Sequence, residues 1–227
     1  MGIYAISDLH LSFSTEKPMG MFGDVWKDHA RKIAQNWDST VGDDDTVLLA
    51  GDHSWGMRFG DASADLDFIA ARPGRKILIR GNHDYWWHRE STNRLQKQVP
   101  DNMTLLHGRG LVVEGVGITG TRGWRLEREA ELGAGDVKVM NRELGYLERG
   151  LKEIPSDVSH RIVMLHYPPF DEDLKPNEFA DILKAHAVDI LVYGHIHSGS
   201  YLEGKIDGIQ YILTSADYLN LHLVRVV

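Results

Sequence analysis

Five short apolar runs in the sequence are followed at once, or after one or two residues, by aspartate, asparagine or histidine. These are residue types that bind metal ions and carry protons. The runs cover residues 2–7, 46–50, 76–79, 161–165 and 189–193, and the segments after them are Asp8-Leu9-His10, Gly51-Asp52, Gly81-Asn82-His83-Asp84, His166 and Gly194-His195-Ile196-His197. In open α/β sheets, ligands bind just beyond the carboxyl ends of the strands. We therefore expect these side chains to meet along one edge of the fold.

The residue types in these segments predict a centre with two metal ions. Asp8 and His10 are two residues apart, as are His195 and His197, so in extended segments the side chains of each pair point the same way. Imidazoles combined with carboxylates suit Mn, Fe or Zn better than Ca or Mg, which prefer oxygen ligands. There are more candidate ligands than a single ion can bind, and Asp52, in the middle of the motifs, could bridge two ions.

The charge of such a centre predicts an anionic substrate. Two divalent ions carry four positive charges, of which Asp8 and Asp52 neutralise two, and a bridging hydroxide would remove one more. The remaining positive charge favours a phosphate ester. Two ions about 3.5–4 Å apart can hold the attacking oxygen and stabilise the charge that develops in an in-line displacement.

Apolar periodicity predicts the elements that would position these groups. Further strands are predicted at residues 117–121, 210–214 and 221–227, and helices at residues 25–37, 62–71, 137–151 and 177–186. The β-α-β-α-β order of the first half favours parallel strands joined by crossover helices. The second half has more strands and fewer helices, which predicts a mixed sheet or a second sheet. Residues 125–136 are predicted to form a solvated loop, with a lid as the alternative.

Length and composition indicate a single cytoplasmic domain over residues 1–227. A chain of 227 residues can bury a core by itself, and the absence of cysteine excludes disulfides, thiolate metal sites and a cysteine nucleophile. The sequence has neither a run of about 18 apolar residues nor a signal-peptide pattern at its start. A formal charge of −8 and the lack of a basic stripe argue against nucleic acid as a partner. The oligomeric state stays open.

Taken in order, these motifs resemble the calcineurin-like metallophosphoesterase superfamily. Its pattern is D-x-H, GD, GNH[DE], H and GHxH, and this chain has every segment in that order between Asp8 and His197. The D-x-H or GD segment alone would be a weak signal, whereas GNHD followed by GHIH, in register with strand ends, is a strong one. The short chain resembles the compact, mostly uncharacterised bacterial phosphohydrolases of that superfamily.

The resemblance implies a fold, a ligand set and a reaction. The fold would be a four-layer α/β/β/α sandwich of two mixed β-sheets, with the dinuclear metal site at the strand carboxyl ends. The implied ligands are Asp8, His10 and His197 for the first ion, Asn82, His166 and His195 for the second, and Asp52 as the bridge. His83 would bind no metal and would protonate the leaving alkoxide. The reaction would be hydrolysis of a phosphate mono- or diester by a hydroxide that bridges the two ions.

The sequence also departs from one branch of that superfamily. Protein serine/threonine phosphatases continue the GD motif with a further Asp and Arg, whereas here His53-Ser54-Trp55 follows Asp52. What orients His83 is therefore open, and His53 is equally consistent with a partner of Asp52 and with an ordinary loop residue. A scaffold with a vestigial site and a nuclease are the alternative functions.

Arg122 and Trp124 are the predicted substrate contacts. Arg122 lies in a glycine-flanked loop after a strand, where a guanidinium could bind phosphate. Four tryptophans that follow motifs or strand ends could stack on a nucleotide-like or aryl group, or could instead cover the rim of the core; they are Trp55, Trp86, Trp87 and Trp124. For Arg80, which ends a strand, a structural ion pair is favoured.

Overall fold

The chain folds into two mixed β-sheets that pack face to face, with helices against the outer face of each sheet. The computed structural model describes residues 1–124 and 133–227. The strands are β1 (Ile3–Ile6), β2 (Thr46–Leu49), β3 (Arg75–Leu78), β4 (Met103–Leu105), β5 (Leu111–Val113), β6 (Val116–Thr121), β7 (His160–Leu165), β8 (Ile190–Tyr193), β9 (Gly204–Ile206), β10 (Ile209–Leu213) and β11 (Val224–Arg225). The helices are α1 (His29–Thr40), α2 (Phe59–Ala70), α3 (Tyr85–His88), α4 (Thr92–Leu95), α5 (Ala134–Glu153) and α6 (Glu178–Ala185), and two 3-10 turns precede α1 at Met19–Phe22 and Asp24–Trp26.

Parallel pairing dominates both sheets. The first sheet has the order β11-β1-β2-β3-β4, in which only the edge strand β11 is antiparallel to its neighbour. The second has the order β5-β6-β7-β8-β10-β9, with β5 and β9 antiparallel at its two edges. A parallel bridge between Ser7 and Ser215 joins the ends of β1 and β10. The carboxyl ends of both sets of parallel strands therefore lie at the same end of the sandwich.

Three apolar layers separate the four layers of secondary structure. Successive residues of a strand point to opposite faces, so each central strand contributes to two layers. In β2, Val47 and Leu49 pack beneath α1 and α2, whereas Leu48, and Ala50 just after the strand, face the second sheet. The third layer lies between the second sheet and α5 and α6. The predicted four-layer fold with two mixed sheets is confirmed, and burial of both strand faces explains why the strands are near-continuous apolar runs in the sequence.

The predicted elements differ from the observed ones mainly at short or capped segments. Strands β4, β5 and β9 have three residues each, too few for a periodic pattern, and were not predicted. Helix α1 begins later than predicted, because two 3-10 turns take up the chain just before it. Residues 125–132 of the predicted loop lie outside the described residues, and α5 begins inside that prediction, at Ala134. Among the described helices, none has the length and apolar character that crossing a membrane requires.

Candidate metal centre

The backbone at the strand ends turns sharply to bring the polar side chains inward. Four of the predicted ligands have the left-handed conformation that non-glycine residues rarely adopt: Asp8 (φ 56°), His10 (φ 47°), Asp52 (φ 55°) and His195 (φ 72°). Such strained residues cluster at functional sites, where the surrounding structure holds them in place. Glycine is required where loops meet: a Cβ atom on Gly51 would lie 2.6 Å from Nδ1 of His166.

A first group of candidate ligands combines the ends of β1 and β8. Asp8, His10 and His197 each offer an atom within 4.8 Å of the others. Nε2 of His10 lies 3.3 Å from Nε2 of His197, which lies 3.7 Å from Oδ1 of Asp8. Asp8 and His10 are buried, whereas His197 is exposed, so the first group opens toward solvent.

A second group combines the ends of β3, β7 and β8. The side-chain oxygen Oδ1 of Asn82 lies 2.6 Å from Nε2 of His166 and 3.1 Å from Nδ1 of His195. These spacings approach the separation of about 3 Å expected for neighbouring ligands with metal bonds of about 2.1 Å.

Asp52 lies between the two groups. Its Oδ2 atom is 3.9 Å from Nε2 of His10 in the first group and 3.6 Å from Nε2 of His166 in the second. Asp8, Asp52 and His166 also form a set of ligand atoms within 4.8 Å of one another. The structure thus brings all the predicted ligands together, with Asp52 in the position that a bridging carboxylate would need.

The hydrogen bonds of the His166 imidazole fit cation binding. His166 is fully buried, which lowers its pKa, and its Nδ1 lies 2.9 Å from the carbonyl oxygen of Ala50. A neutral imidazole that donates from Nδ1 directs the lone pair of Nε2 at the oxygens of Asn82 and Asp52. Lone pairs that point at one another repel unless a cation lies between them. The donor set of imidazole nitrogens and carboxylate and amide oxygens therefore fits a divalent transition metal or zinc.

The charges within the cluster also favour the binding of cations. Burial, together with the charges of Asp8 and Asp84, raises the pKa of Asp52 well above its ordinary value. Burial and the neighbouring His197 and His83 lower the pKa of His10. Among the described residues, no lysine or arginine forms an ion pair with Asp8 or Asp52. Bound cations would supply the positive charge that these carboxylates lack.

Further residues hold the candidate ligands in position. The hydroxyls of Ser7 and Ser215 and the N–H of His195 donate to Asp8. Oδ1 of Asp217 lies 2.9 Å from Nδ1 of His197, so it fixes that ring with Nε2 facing the site. Burial alone lowers the pKa of His197, but the hydrogen bond to Asp217 and the charge of Asp8 leave that pKa raised. Asp217 was not singled out in the sequence, although it follows the predicted strand at residues 210–214.

The candidate proton donor His83 lies at the open side of the cluster. Its Nε2 is 4.0 Å from Oδ2 of Asp52, and its side chain is 33% exposed. The hydroxyl oxygen of Tyr85 is 3.2 Å from Nδ1, and the ring of Trp55 packs against the imidazole with a centroid distance of 4.4 Å. Burial and the charge of His166 lower the pKa of His83. Tyr85 and Trp55 thus contact this ring, and its Nε2 faces the Asp52 carboxylate.

Asp84 and His53 form a buried pair beneath the site. The Asp84 carboxylate accepts hydrogen bonds from the backbone N–H groups of Asp52, His53 and Gly81, and Nδ1 of His53 lies 3.0 Å from it. Burial alone raises the pKa of Asp84, but the charge of His53 and these hydrogen bonds hold it below its ordinary value. His53 is therefore a partner of Asp84, and the pair ties the loop after β2 to the loop after β3.

Arg122 and Trp124 lie beside the cluster. The Arg122 side chain is 6% exposed, and its Cζ atom lies 4.5 Å from the ring centroid of Trp124. Trp86 and Trp87 are each 1% exposed, so these two rings cover the core. Trp55 is half-buried between His10 and Lys17. Contact of Arg122 and Trp124 with a substrate stays a prediction.

Comparison with known proteins gives one family and several relatives. The model of the calcineurin-like phosphoesterase family matches residues 1–199. The Gene 66 protein of Mycobacterium phage L5 is 45% identical over 78 residues, and that of phage D29 is 46% identical over 57 residues. These matches span 34% and 25% of this chain, and 37% and 28% of the length of the two phage proteins.

Two solved structures share the fold over nearly the whole chain. Phosphopantetheinyl hydrolase from Mycobacterium tuberculosis has a TM-score of 0.65 and 16% identity, with 100% of this chain and 95% of that chain covered. A protein of unknown function from Aquifex aeolicus has a TM-score of 0.52 and 20% identity, with 99% of this chain and 95% of that chain covered. At this level of identity the likeness shows the fold alone.

Proposed function

The chain belongs to the calcineurin-like phosphoesterase family, and from this membership we propose that it is a metal-dependent phosphohydrolase that cleaves a small phosphate mono- or diester. The observation that carries the proposal is the convergence of five strand-end segments on one cluster of ligand atoms, with an oxygen of Asp52 between its two halves. The proposed ligands are Asp8, His10 and His197 for one ion, Asn82, His166 and His195 for the other, and Asp52 for both. Mn, Fe and Zn are the ions that this donor set favours.

Bound ions and protein residues would contribute different parts of the chemistry. When bound, a pair of divalent ions supplies Lewis-acid activation of water and of the phosphoryl group. The protein holds the ligands rigidly: Asp217 orients His197, and the carbonyl of Ala50 orients His166. A site that is held in advance loses little free energy to reorganisation when the substrate binds.

His83 is the proposed general acid. Water adds to phosphorus and releases one proton to solvent, the bond from phosphorus to the leaving oxygen breaks, and the proton on Nε2 of protonated His83 passes to that oxygen. The ring then regains a proton from solvent. Its position supports this role, because Nε2 is directed toward the cluster while the side chain is partly open to an incoming ester. Water replaces the alkoxide, so the products are the phosphate and the alcohol.

The substrate is proposed to be small and to carry a nucleotide-like or aryl group. An open cavity of about 560 Å³ is lined by His195, His197, Tyr167 and Phe170, among others, so it begins at the metal ligands themselves. Its volume is in the usual range for small-molecule sites. Arg122 and Trp124 are the proposed substrate contacts, and the ring of Trp124 lies 6.0 Å from that of Tyr167 in the cavity wall. We also propose that the protein acts in the cytoplasm without a nucleic-acid or membrane partner. This part of the proposal rests on charge and composition.

Replacement of Asp52 tests the proposal. We expect Asp52→Asn to lower bound metal and to reduce hydrolysis more than about 100-fold, because removal of even the residues that support metal ligands costs 10–100-fold. Metal content is measured by mass spectrometry after reconstitution with Mn, Fe, Zn or Mg, and activity on a panel of mono- and diesters.

The matched control is Asp181→Asn, which makes the same change in charge at an exposed position of α6. Full turnover by Asp52→Asn would contradict the bridging role. A wild-type protein that retains no metal would instead favour the alternative of a scaffold with a vestigial site.

A further inference from the structure

A basic pocket lies beside the metal cluster, between the loop after α3 and one face of α5. It is an open cavity of about 830 Å³ in a protein whose formal net charge is −8. Four arginines and two histidines line it: Arg80, Arg109, Arg142, Arg149, His88 and His107. The pocket adjoins the cluster, because Arg80 is two residues before Asn82 and Nε2 of His88 lies 3.4 Å from the carbonyl oxygen of Gly81.

Helix α5 supplies one wall with a regular spacing. Arg142, Tyr146 and Arg149 are four and three residues apart, so they lie on the same face of the helix. The Arg149 guanidinium lies over the ring of Tyr146, and its Nε donates to the carbonyl of Gly108 at 2.8 Å. This guanidinium is therefore held in place on the pocket wall. Arg142 is exposed two turns earlier on the same face.

The positive charge of the pocket is only partly neutralised. Glu143 is fully buried and lies 3.4 Å from Nη2 of Arg80. Glu90 and Glu153 also line the pocket, but Glu90 pairs with Arg94, and Glu153 accepts a hydrogen bond from the N–H of Gly110. Among the described residues, no carboxylate forms an ion pair with Arg109, Arg142 or Arg149.

Two buried nitrogen atoms of the pocket have no hydrogen-bond partner. Among the residues that line the pocket, they are Nε of Arg80 and Nε2 of His107. Burial and the charges of Arg80 and Arg122 lower the pKa of His107 to about 3, which is the effect expected of a strongly positive environment. The guanidinium Nε of Arg80 is always a donor, a buried donor without an acceptor is costly, and an oxyanion is the acceptor that a guanidinium binds most strongly.

We propose that this basic pocket binds a phosphate group separately from the metal centre. Planar guanidinium groups match the oxygens of phosphate, and several of them converge here on one cavity. The phosphate could be a second phosphate of the substrate or a free phosphate ion. The first of these sources rests on the proposed function, and the second does not.

The test is titration of the metal-loaded protein with inorganic phosphate, followed by calorimetry. We expect two phosphate ions to bind the wild-type protein, one at the metals and one in the pocket. The double variant Arg142→Gln/Arg149→Gln should lose the pocket ion or bind it at least tenfold more weakly. The control Arg31→Gln/Arg225→Gln makes the same change in net charge at exposed positions on α1 and β11 and should match the wild type.

Each outcome of this titration decides the proposal. Equal binding by the wild type and the pocket variant would overturn it. If the proposed function fails but the pocket exists, the wild type binds one ion and the pocket variant binds none, so the two failures are distinguishable.

The source of the phosphate is decided by kinetics. If it belongs to the substrate, the pocket variant should raise KM for a nucleoside bisphosphate at least tenfold more than it raises KM for nitrophenyl phosphate. If it is a free ion, the two KM values should change by the same factor while phosphate binding is still lost.

Discussion

The hydroxyl oxygen of Tyr85 lies within hydrogen-bond distance of His83, 3.2 Å from Nδ1 of that ring. A hydroxyl that donates to Nδ1 leaves the proton of a neutral imidazole on Nε2, the atom 4.0 Å from Asp52. The indole of Trp55 packs against the same ring and limits its rotation. Burial and then the charge of His166 lower the pKa of His83, and together they outweigh the charges of Asp84 and Asp8, which raise it.

At the residue scale, the general acid can be tested by varying the leaving group. We expect His83→Ala to slow hydrolysis of alkyl esters by about 100-fold or more and that of nitrophenyl esters by less than about tenfold, because a good leaving group needs no proton. The measurement is kcat/KM for both ester classes. His222→Ala removes an exposed histidine and is the control; equal losses on both esters would contradict the assignment of His83.

The support of His197 by Asp217 gives a second prediction at this scale. Asp217→Asn weakens the hydrogen bond to Nδ1 and leaves Nε2 less well held, so metal affinity should fall about 10–100-fold. Competition with a chelator measures that affinity. Asp207→Asn, at an exposed turn, serves as the control because it also removes one negative charge. An unchanged affinity in Asp217→Asn would mean that the ring is held by other contacts.

At the scale of elements, the site depends on how closely the loops after β2 and β3 approach each other. A Cβ atom on Gly81 would overlap the carboxylate and backbone N of Asp52, and its distance to Cγ of Asp52 would be only 2.8 Å. The backbone of Gly81 and the carboxylate of Asp52 are in contact here, with no room for a methyl group between them. The His53–Asp84 pair holds the same two loops together from below.

A pair of glycine substitutions tests this approach. Gly81→Ala should displace Asp52, reduce metal content and lower the free energy of unfolding by about 1–3 kcal/mol, the usual cost of overpacking. Gly60→Ala places a methyl group in open space on α2 and should raise that free energy by about 0.5–1 kcal/mol. Chemical denaturation and metal analysis measure both effects. A Gly81→Ala protein that keeps its metal and stability would show that the loops can move apart.

The sequence predicted the components of the site better than the contacts between them. Each candidate ligand follows an apolar run closely, so one rule about strand ends was enough to group them. The contact of Tyr85 with His83 and that of His53 with Asp84 depend on loop geometry, which no periodic pattern encodes. The edge strands β4, β5 and β9 were missed for a related reason, since three residues cannot establish a period.

At the scale of the whole molecule, the fold concentrates opposite charges on two sides of one loop. The metal cluster holds the buried carboxylates of Asp8 and Asp52, whereas the basic pocket begins at Arg80, in the loop that also carries Asn82. The parallel bridge between Ser7 and Ser215 joins the two sheets at this end. An acidic chain thus presents a local positive surface next to its candidate metal centre, and the stability of that arrangement depends on pH.

The pKa of His107 predicts whether the stability of the folded protein rises or falls with pH. Its pKa is about 3 in the folded protein, below the ordinary value of 6.5, chiefly because of burial and then because of Arg80 and Arg122. Between these values the unfolded chain binds a proton that the folded protein does not, so stability is full above pH 6.5 and declines as the pH falls toward 3. One such proton corresponds to about 1.4 kcal/mol per pH unit.

We therefore expect His107→Gln to lose less stability on acidification than the wild type, with a slope smaller by up to about 1.4 kcal/mol per pH unit. Urea unfolding at several pH values in that window measures the slope, with a chelator present so that release of metal does not contribute. His222→Gln replaces an exposed histidine and is the matched control. If both variants change the slope equally, the acid sensitivity does not come from the arginines around His107. A phosphate ion beside this ring would favour the charged imidazole and raise its folded-state pKa. Added phosphate should therefore make the pH dependence of the wild type shallower than it makes that of His107→Gln, and an equal change in both proteins would place the ion elsewhere.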